Sequence, residues 1–106
     1  MISQMSPAEY AARAARDEAP LLLDVREDWE LAIARIDGAV HIPMSQLPDR
    51  LGELDPQGEI VVLCRSGGRS AQVTRFLQQQ GYGRVSNLAG GILAWSEQVD
   101  PAVPQY

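Results

Sequence analysis

Apolar residues fall in short blocks separated by polar, Gly- and Pro-containing stretches, and the blocks alternate between helix-like and strand-like patterns. Ser6-Pro7-Ala8-Glu9 predicts a helix start. Ser6 can cap, Pro7 suits the first helical position and Glu9 completes a capping box. The Ala-rich run after it predicts helix to about Arg16. Leu21-Leu22-Leu23-Asp24-Val25 follows Pro20 as an unbroken apolar run and predicts a buried strand. Arg26 to Ile33 places Trp29, Leu31 and Ile33 in polar surroundings and predicts a short helix. Gly38 to Pro43 reads as a short strand stopped by the proline. Leu47, Leu51 and Leu54 stand at helical spacing within Ser45 to Leu54, with Pro48 near the start. Asp55-Pro56-Gln57-Gly58 is a turn, and Glu59 to Leu63 is the clearest strand. From Ser70, the residues Val73, Phe76 and Leu77 and the closing Gly81 describe an amphipathic helix. Arg84 to Leu88 reads as another strand, and Gly90 or Gly91 opens a last helix carrying Ile92, Leu93 and Trp95. Asp100 to Tyr106 is irregular.

Strands alternating with helices imply an α/β fold: parallel strands with helices on both faces of the sheet. Ligands of such sheets sit at the carboxyl ends of the strands. Cys64 falls there, between the best strand and the best helix.

A length of 106 residues suits one compact domain, residues 1–106, with 45% hydrophobic and 22% charged positions. The net charge of -5 argues against nonspecific nucleic-acid binding. A lone cysteine cannot form a disulfide within the chain and fits a reducing compartment. Met1 to Pro7 lacks the basic and apolar regions of a signal peptide, and no stretch has the length to span a membrane, so a cytoplasmic location is expected.

The loop Cys64-Arg65-Ser66-Gly67-Gly68-Arg69-Ser70 concentrates the chemistry. A cysteine before a helix faces unpaired N–H groups and a partial positive charge. Ser66, Gly67 and Gly68 are small enough for a tight turn that aims successive N–H groups at one point. Arg65 and Arg69 add permanent charge with a forked geometry suited to oxyanions. Together these favour thiolate over thiol. Taken alone, a single cysteine at a strand end is more often core filler, but glycines and arginines make a poor core. Arg65 and Arg69 also fit solvated surface positions. His41, in an apolar strand, reads as a hydrogen-bonded structural residue, Trp29 and Trp95 as core, and Asp24 as a hydrogen-bond anchor. No second cysteine or histidine stands at ligand spacing, so neither a metal nor a cofactor is expected.

These residues resemble a single-domain rhodanese, the sulfurtransferase family. Four segments carry the likeness, in the family's order: Leu23 to Arg26, Gly38 to Pro43, Cys64 to Ser70, and Leu88 to Trp95. The resemblance implies a five-stranded parallel sheet flanked by helices, with Ile2-Ser3 supplying the small first strand. It implies that Cys64 is the nucleophile, that Arg65, Ser66, Gly67, Gly68, Arg69 and Ser70 wrap the substrate sulfur, and that Asp24 and Arg26 brace the fold beside the loop. Many members carry Gly-His where Ala34-Arg35 stand here, which affects a local turn. Cys64 through Arg69 is a six-residue loop, the sulfurtransferase length. The related phosphatases have one residue more, and tyrosine-phosphatase-type sites usually place His where Leu63 stands. The implied reaction moves sulfane sulfur from a small anionic donor such as thiosulfate, through a Cys64 persulfide, to cyanide, a thiol or a protein. Arg65 is the expected donor-binding residue, with Arg69 holding the loop or the donor. One alternative is a phosphatase or arsenate reductase using the same cradle. Another is a relay module partnered by a cysteine desulfurase or sulfur-carrier protein. For that module, the end of the chain, Val99 to Tyr106, is similar to the end of rhodanese domains fused to enzymes that activate sulfur carriers. A simple surface strap explains the same tail.

Overall fold

The computed structural model describes residues 2–106. Five parallel strands, β1 (Ser3–Met5), β2 (Leu21–Asp24), β3 (Val40–His41), β4 (Ile60–Leu63) and β5 (Val85–Leu88), form one sheet in the order β1-β5-β4-β2-β3. The helices are α1 (Pro7–Ala15), α2 (Asp28–Ile33), α3 (Gly68–Gln79) and α4 (Gly91–Gln98).

Alternation along β4 divides the core in two. Ile60, Val62 and Cys64 pack on one face with Val73 and Leu77 of α3 and with Leu47 and Leu54. Val61 and Leu63 pack on the other with Tyr10 of α1 and Ile92 and Trp95 of α4. Successive strand side chains point to opposite faces, so an unbroken apolar run is what a strand buried on both faces requires.

Several boundaries differ from the sequence reading. The first strand is Ser3–Met5 rather than Ile2-Ser3, because Ser3, Gln4 and Met5 pair with Ser86, Asn87 and Leu88 of β5. Of the expected capping box, the Ser6 half forms: its Oγ accepts the Glu9 N–H at 3.1 Å. Residues 44–53 form a 3-10 segment containing Pro48, which cannot donate to a helical ladder. α3 begins at Gly68, ahead of Ser70, because Gly67 turns the chain at φ 108°.

The strand order places the site. The connection after β2 leads outward to β3, whereas that after β4 leads to β5 on the opposite side. Adjacent strands with diverging connections leave a crevice at their carboxyl ends. Asp24, Arg26 and Cys64 lie there.

The crevice is floored by the start of α4. Ile92 N–H donates to the Cys64 carbonyl at 2.9 Å and Leu93 N–H to the Arg65 carbonyl at 3.2 Å. A Cβ at Gly91 would meet the Arg65 carbonyl oxygen at 2.4 Å and that of Cys64 at 2.5 Å, and its φ is +63°. Gly91→Ala is therefore expected to cost at least about 2 kcal/mol, from left-handed backbone strain plus the clash. Urea unfolding of the two chains measures it, and equal midpoints would contradict the close approach.

Candidate active site

Cys64 is 1% exposed at the foot of the loop that leads into α3. Its Sγ accepts the Gly67 N–H at 3.1 Å and lies 3.2 Å from Ser70 Oγ. Only Gly67's positive φ lets the chain double back far enough to bring that N–H onto the sulfur. The helical ladder of α3 begins with Ala71 N–H donating to the Gly67 carbonyl. The N–H groups of Gly68, Arg69 and Ser70 precede it and have no intrahelical acceptor.

Asn87, which the sequence reading did not single out, orders this cradle from β5. Its Nδ2 donates to Gln4 Oε1 at 3.1 Å and to the Gly67 carbonyl at 3.3 Å. Two acceptors on that side turn Oδ1 toward Ser70, whose hydroxyl donates to it. In the thiol form, Ser70 Oγ is then the acceptor for the Cys64 S–H. Once the proton leaves, the same hydroxyl is placed to turn and donate to the sulfur.

The two loop arginines have different fates. Arg69 makes a bidentate pair with Glu30 of α2, at 2.6 and 2.8 Å. The Glu30 bonds outweigh burial and raise the Arg69 guanidinium above its ordinary value, and the charge of Cys64 adds to this. Arg65 is exposed and has no Asp or Glu partner among the described residues. Its Nε donates to the Tyr106 backbone oxygen at 2.5 Å, its Nη2 donates to the same atom, and its guanidinium lies 5.3 Å from the Tyr106 ring centroid.

Behind the loop, Asp24 and Arg26 are both buried and joined side to side. Arg26 Nη2 donates to Asp24 Oδ2 at 2.7 Å and to the Ala34 carbonyl at 2.8 Å, and Nη1 donates to the Tyr106 hydroxyl at 2.9 Å. Burial opposes the Arg26 charge, yet bonds to Asp24 and Tyr106 hold it above its ordinary value. The Tyr106 hydroxyl in turn donates to Glu30 Oε2 at 2.6 Å. Burial and that bond raise the phenol, so it remains a donor at neutral pH.

The structure thus gathers Cys64, Gly67 and Ser70 at the sulfur and leaves Arg65, Ser66 and Gly68 at the exposed rim. Arg69, Asp24 and Arg26 sit in the network beside them. His41 has the structural role expected: its Nε2 donates to the Arg26 carbonyl at 2.6 Å. Trp95 is core, but Trp29 is 62% exposed. The buried position on the six-residue α2 goes to Glu30, and Trp29 meets the edge of Tyr106 instead. Glu30 and Tyr106, with Asn87, are the members of the site missed in the sequence. Glu30 stands in a charged run that reads as solvated, and Tyr106 in a tail without periodicity. No cluster of His, Cys, Asp or Glu suited to a metal ion occurs among the described residues.

A profile of the family described as "Rhodanese-like domain" matches residues 6–98. The chain is 41% identical over 103 residues to a sulfurtransferase of Allochromatium vinosum, covering 97% of this chain and 96% of that protein. It is 37% identical over 105 residues to the adenylyltransferase and sulfurtransferase MOCS3-2 of Zea mays, covering 92% of this chain and 22% of that much longer protein. Among solved structures, the human single-domain sulfurtransferase TSTD1 aligns with a TM-score of 0.80 at 28% identity, covering 92% of this chain and 98% of that one.

The site makes stability sensitive to acid. The Arg69 bonds, opposed by burial and helped by the Tyr106 hydroxyl, lower the Glu30 carboxyl from 4.5 to about 2. A carboxyl lowered on folding contributes stability fully above its unfolded value and loses it as pH falls through the folded one. Glu30 should therefore supply on the order of 3 kcal/mol above pH 4.5, fading toward pH 2. Denaturant unfolding between those limits should show a shallower acid slope for Glu30→Gln. An unchanged slope would mean that the pair does not form in solution.

Proposed function

The chain belongs to the rhodanese-like family, whose members similar to it include sulfurtransferases and a protein named as a sulfur carrier, and we propose that it works through a persulfide on Cys64 loaded from a small anionic donor such as thiosulfate. The observation that carries this reading is the cradle itself. Cys64 Sγ accepts the Gly67 N–H at 3.1 Å, and the unpaired N–H groups that open α3 follow directly after it in the chain.

In the first step the Cys64 thiolate attacks the outer sulfur of thiosulfate. The Sγ–S bond forms as the S–S bond of the donor breaks, and its electron pair leaves on sulfite. The negative charge then rests on the terminal sulfur, which the N–H groups of Gly68, Arg69 and Ser70 would solvate without reorganising. In the second step a nucleophile, such as cyanide or a thiolate, attacks that terminal sulfur. The Sγ–S bond breaks and Cys64 leaves as thiolate, giving two half-reactions with ping-pong kinetics. Arg65 receives the donor's oxyanion end, Arg69 holds the loop through Glu30, and Asp24 and Arg26 brace the base. A free thiol with this role suits a reducing, cytoplasmic setting.

The match to a region of the maize adenylyltransferase and sulfurtransferase favours a second reading. In it the same persulfide is received from a desulfurase or passed to a sulfur-carrier protein, and thiosulfate serves only as a convenient donor.

Intact mass spectrometry tests the core of the proposal. Thiosulfate should add one sulfur atom to the chain, cyanide should remove it, and Cys64→Ala should do neither. A Cys64→Ala chain that still loads sulfur, or release of phosphate from an aryl phosphate in place of loading, would overturn it. Arg65→Ala should raise the KM for thiosulfate about tenfold, the worth of a charge-assisted hydrogen bond, while leaving the unfolding midpoint unchanged. An unaltered KM would make Arg65 a plain surface charge.

A further inference from the structure

We infer that Tyr106 is a specificity-determining residue at the mouth of the Cys64 loop, where its backbone oxygen occupies the Arg65 guanidinium and competes with small anionic donors for it. The inference rests on the reading of Arg65 as the donor-binding residue.

The tail is built to put that oxygen there. Ser96 Oγ donates to the Val103 carbonyl at 2.7 Å, and Val103 is buried against the α4 side of the sheet. Gln105 Nε2 reaches the Leu93 carbonyl at 3.4 Å. Tyr106 itself is tied at several points. Its hydroxyl links Arg26 and Glu30, its ring meets Trp29 edge-on at 6.4 Å, and the Arg26 guanidinium lies 5.8 Å from its centroid. With the ring held, the residue's backbone oxygen takes both Nε and Nη2 of Arg65.

Those two N–H groups are the fork that would hold an oxyanion. Arg69, the other loop arginine, already has its fork filled by Glu30. A small dianion arriving at the mouth must therefore exchange with Tyr106 at Arg65 before it is held. A neutral reagent, or sulfur already mounted on another thiol, makes no use of Arg65 and meets no such competition. Tyr106 acts through Arg65, so its effect should fall on donor binding and on charge selectivity rather than on bond breaking.

The test is the alkylation of Cys64 in the full chain by iodoacetate, an anion, and by iodoacetamide, its neutral analogue. Tyr106→Ala should raise the iodoacetate-to-iodoacetamide rate ratio about three- to tenfold, the worth of the hydrogen bonding released. Tyr106→Phe, which keeps the ring and loses the hydroxyl, should raise it less. Adding Arg65→Ala to Tyr106→Ala should cancel the rise. In parallel, KM for thiosulfate should fall. A ratio that stays flat or drops in both variants would overturn the inference. If Tyr106→Ala does not fold, Tyr106→Phe decides the ratio alone. The alkylation readout needs no sulfur transfer. A failed persulfide reading therefore shows as no loading in any chain, and a failed Tyr106 inference as a flat ratio in chains that still load.

Discussion

Arg26 places a full positive charge where no solvent reaches it, and the site is arranged around satisfying that charge. A buried guanidinium without acceptors is strongly unfavourable, and removing one partner of a buried pair leaves the other uncompensated. The acceptors come from separate parts of the chain: the Asp24 carboxylate at the end of β2, the Ala34 carbonyl after α2, and the Tyr106 hydroxyl in the tail. The Arg26 carbonyl meanwhile accepts from His41 of β3. One side chain thus fastens the sheet, a helix end and the tail to the carboxyl ends of the strands. Tyr106 extends the network to Glu30, and Glu30 to Arg69 in the loop that holds the cysteine.

This network divides the loop's two arginines by function. Arg69 faces a carboxylate whose charge cancels most of its own, so it contributes position more than field. Arg65 lies outside the Asp24 and Glu30 pairs, exposed and held by the Tyr106 backbone oxygen at the rim, a contact that an arriving anion can exchange with. A cradle that must be rigid around one atom yet open to an exchanging ligand needs both kinds of contact. The sequence shows two similar residues, Arg65 and Arg69, and nothing local tells them apart. The difference comes from α2, which lays Glu30 beside one of them and not the other.

That is also where legibility ends. Ile60-Val61-Val62-Leu63 reads as a doubly buried strand because its apolar run is unbroken, and the glycine-rich loop after Cys64 reads as an anion cradle because each residue type has a local reason to be there. Both are short-range signals. Glu30 meets Arg69 across 39 residues and Tyr106 across 76, so their pairing follows from topology. Trp29 shows the converse. A large apolar residue predicts core, but on a helix as short as α2 the inward position was taken by the carboxylate the network needs. Pro48 is intermediate: its effect on a helix is legible, yet the 3-10 form that accommodates it depends on Leu47 reaching the core.

On the proposed reading, the cradle's preference for negative charge rests on the fate of its carbonyls as much as on its N–H groups. Peptide units carry a donor and an acceptor, so a loop curled around an atom could present either. Here the acceptors are engaged elsewhere. The Cys64 and Arg65 carbonyls take N–H groups from the start of α4, and the Gly67 carbonyl takes Ala71 N–H and Asn87 Nδ2. Gly91 permits the first of these contacts, since any side chain there would hold α4 away from the loop. With those oxygens bound behind the loop, donors remain to line it. An anion would then be solvated without moving the backbone, and a neutral or cationic group would find few acceptors. The second glycine of Gly90-Gly91, far from the sulfur in sequence, is therefore as much a cause of the cradle's polarity as the glycines within it.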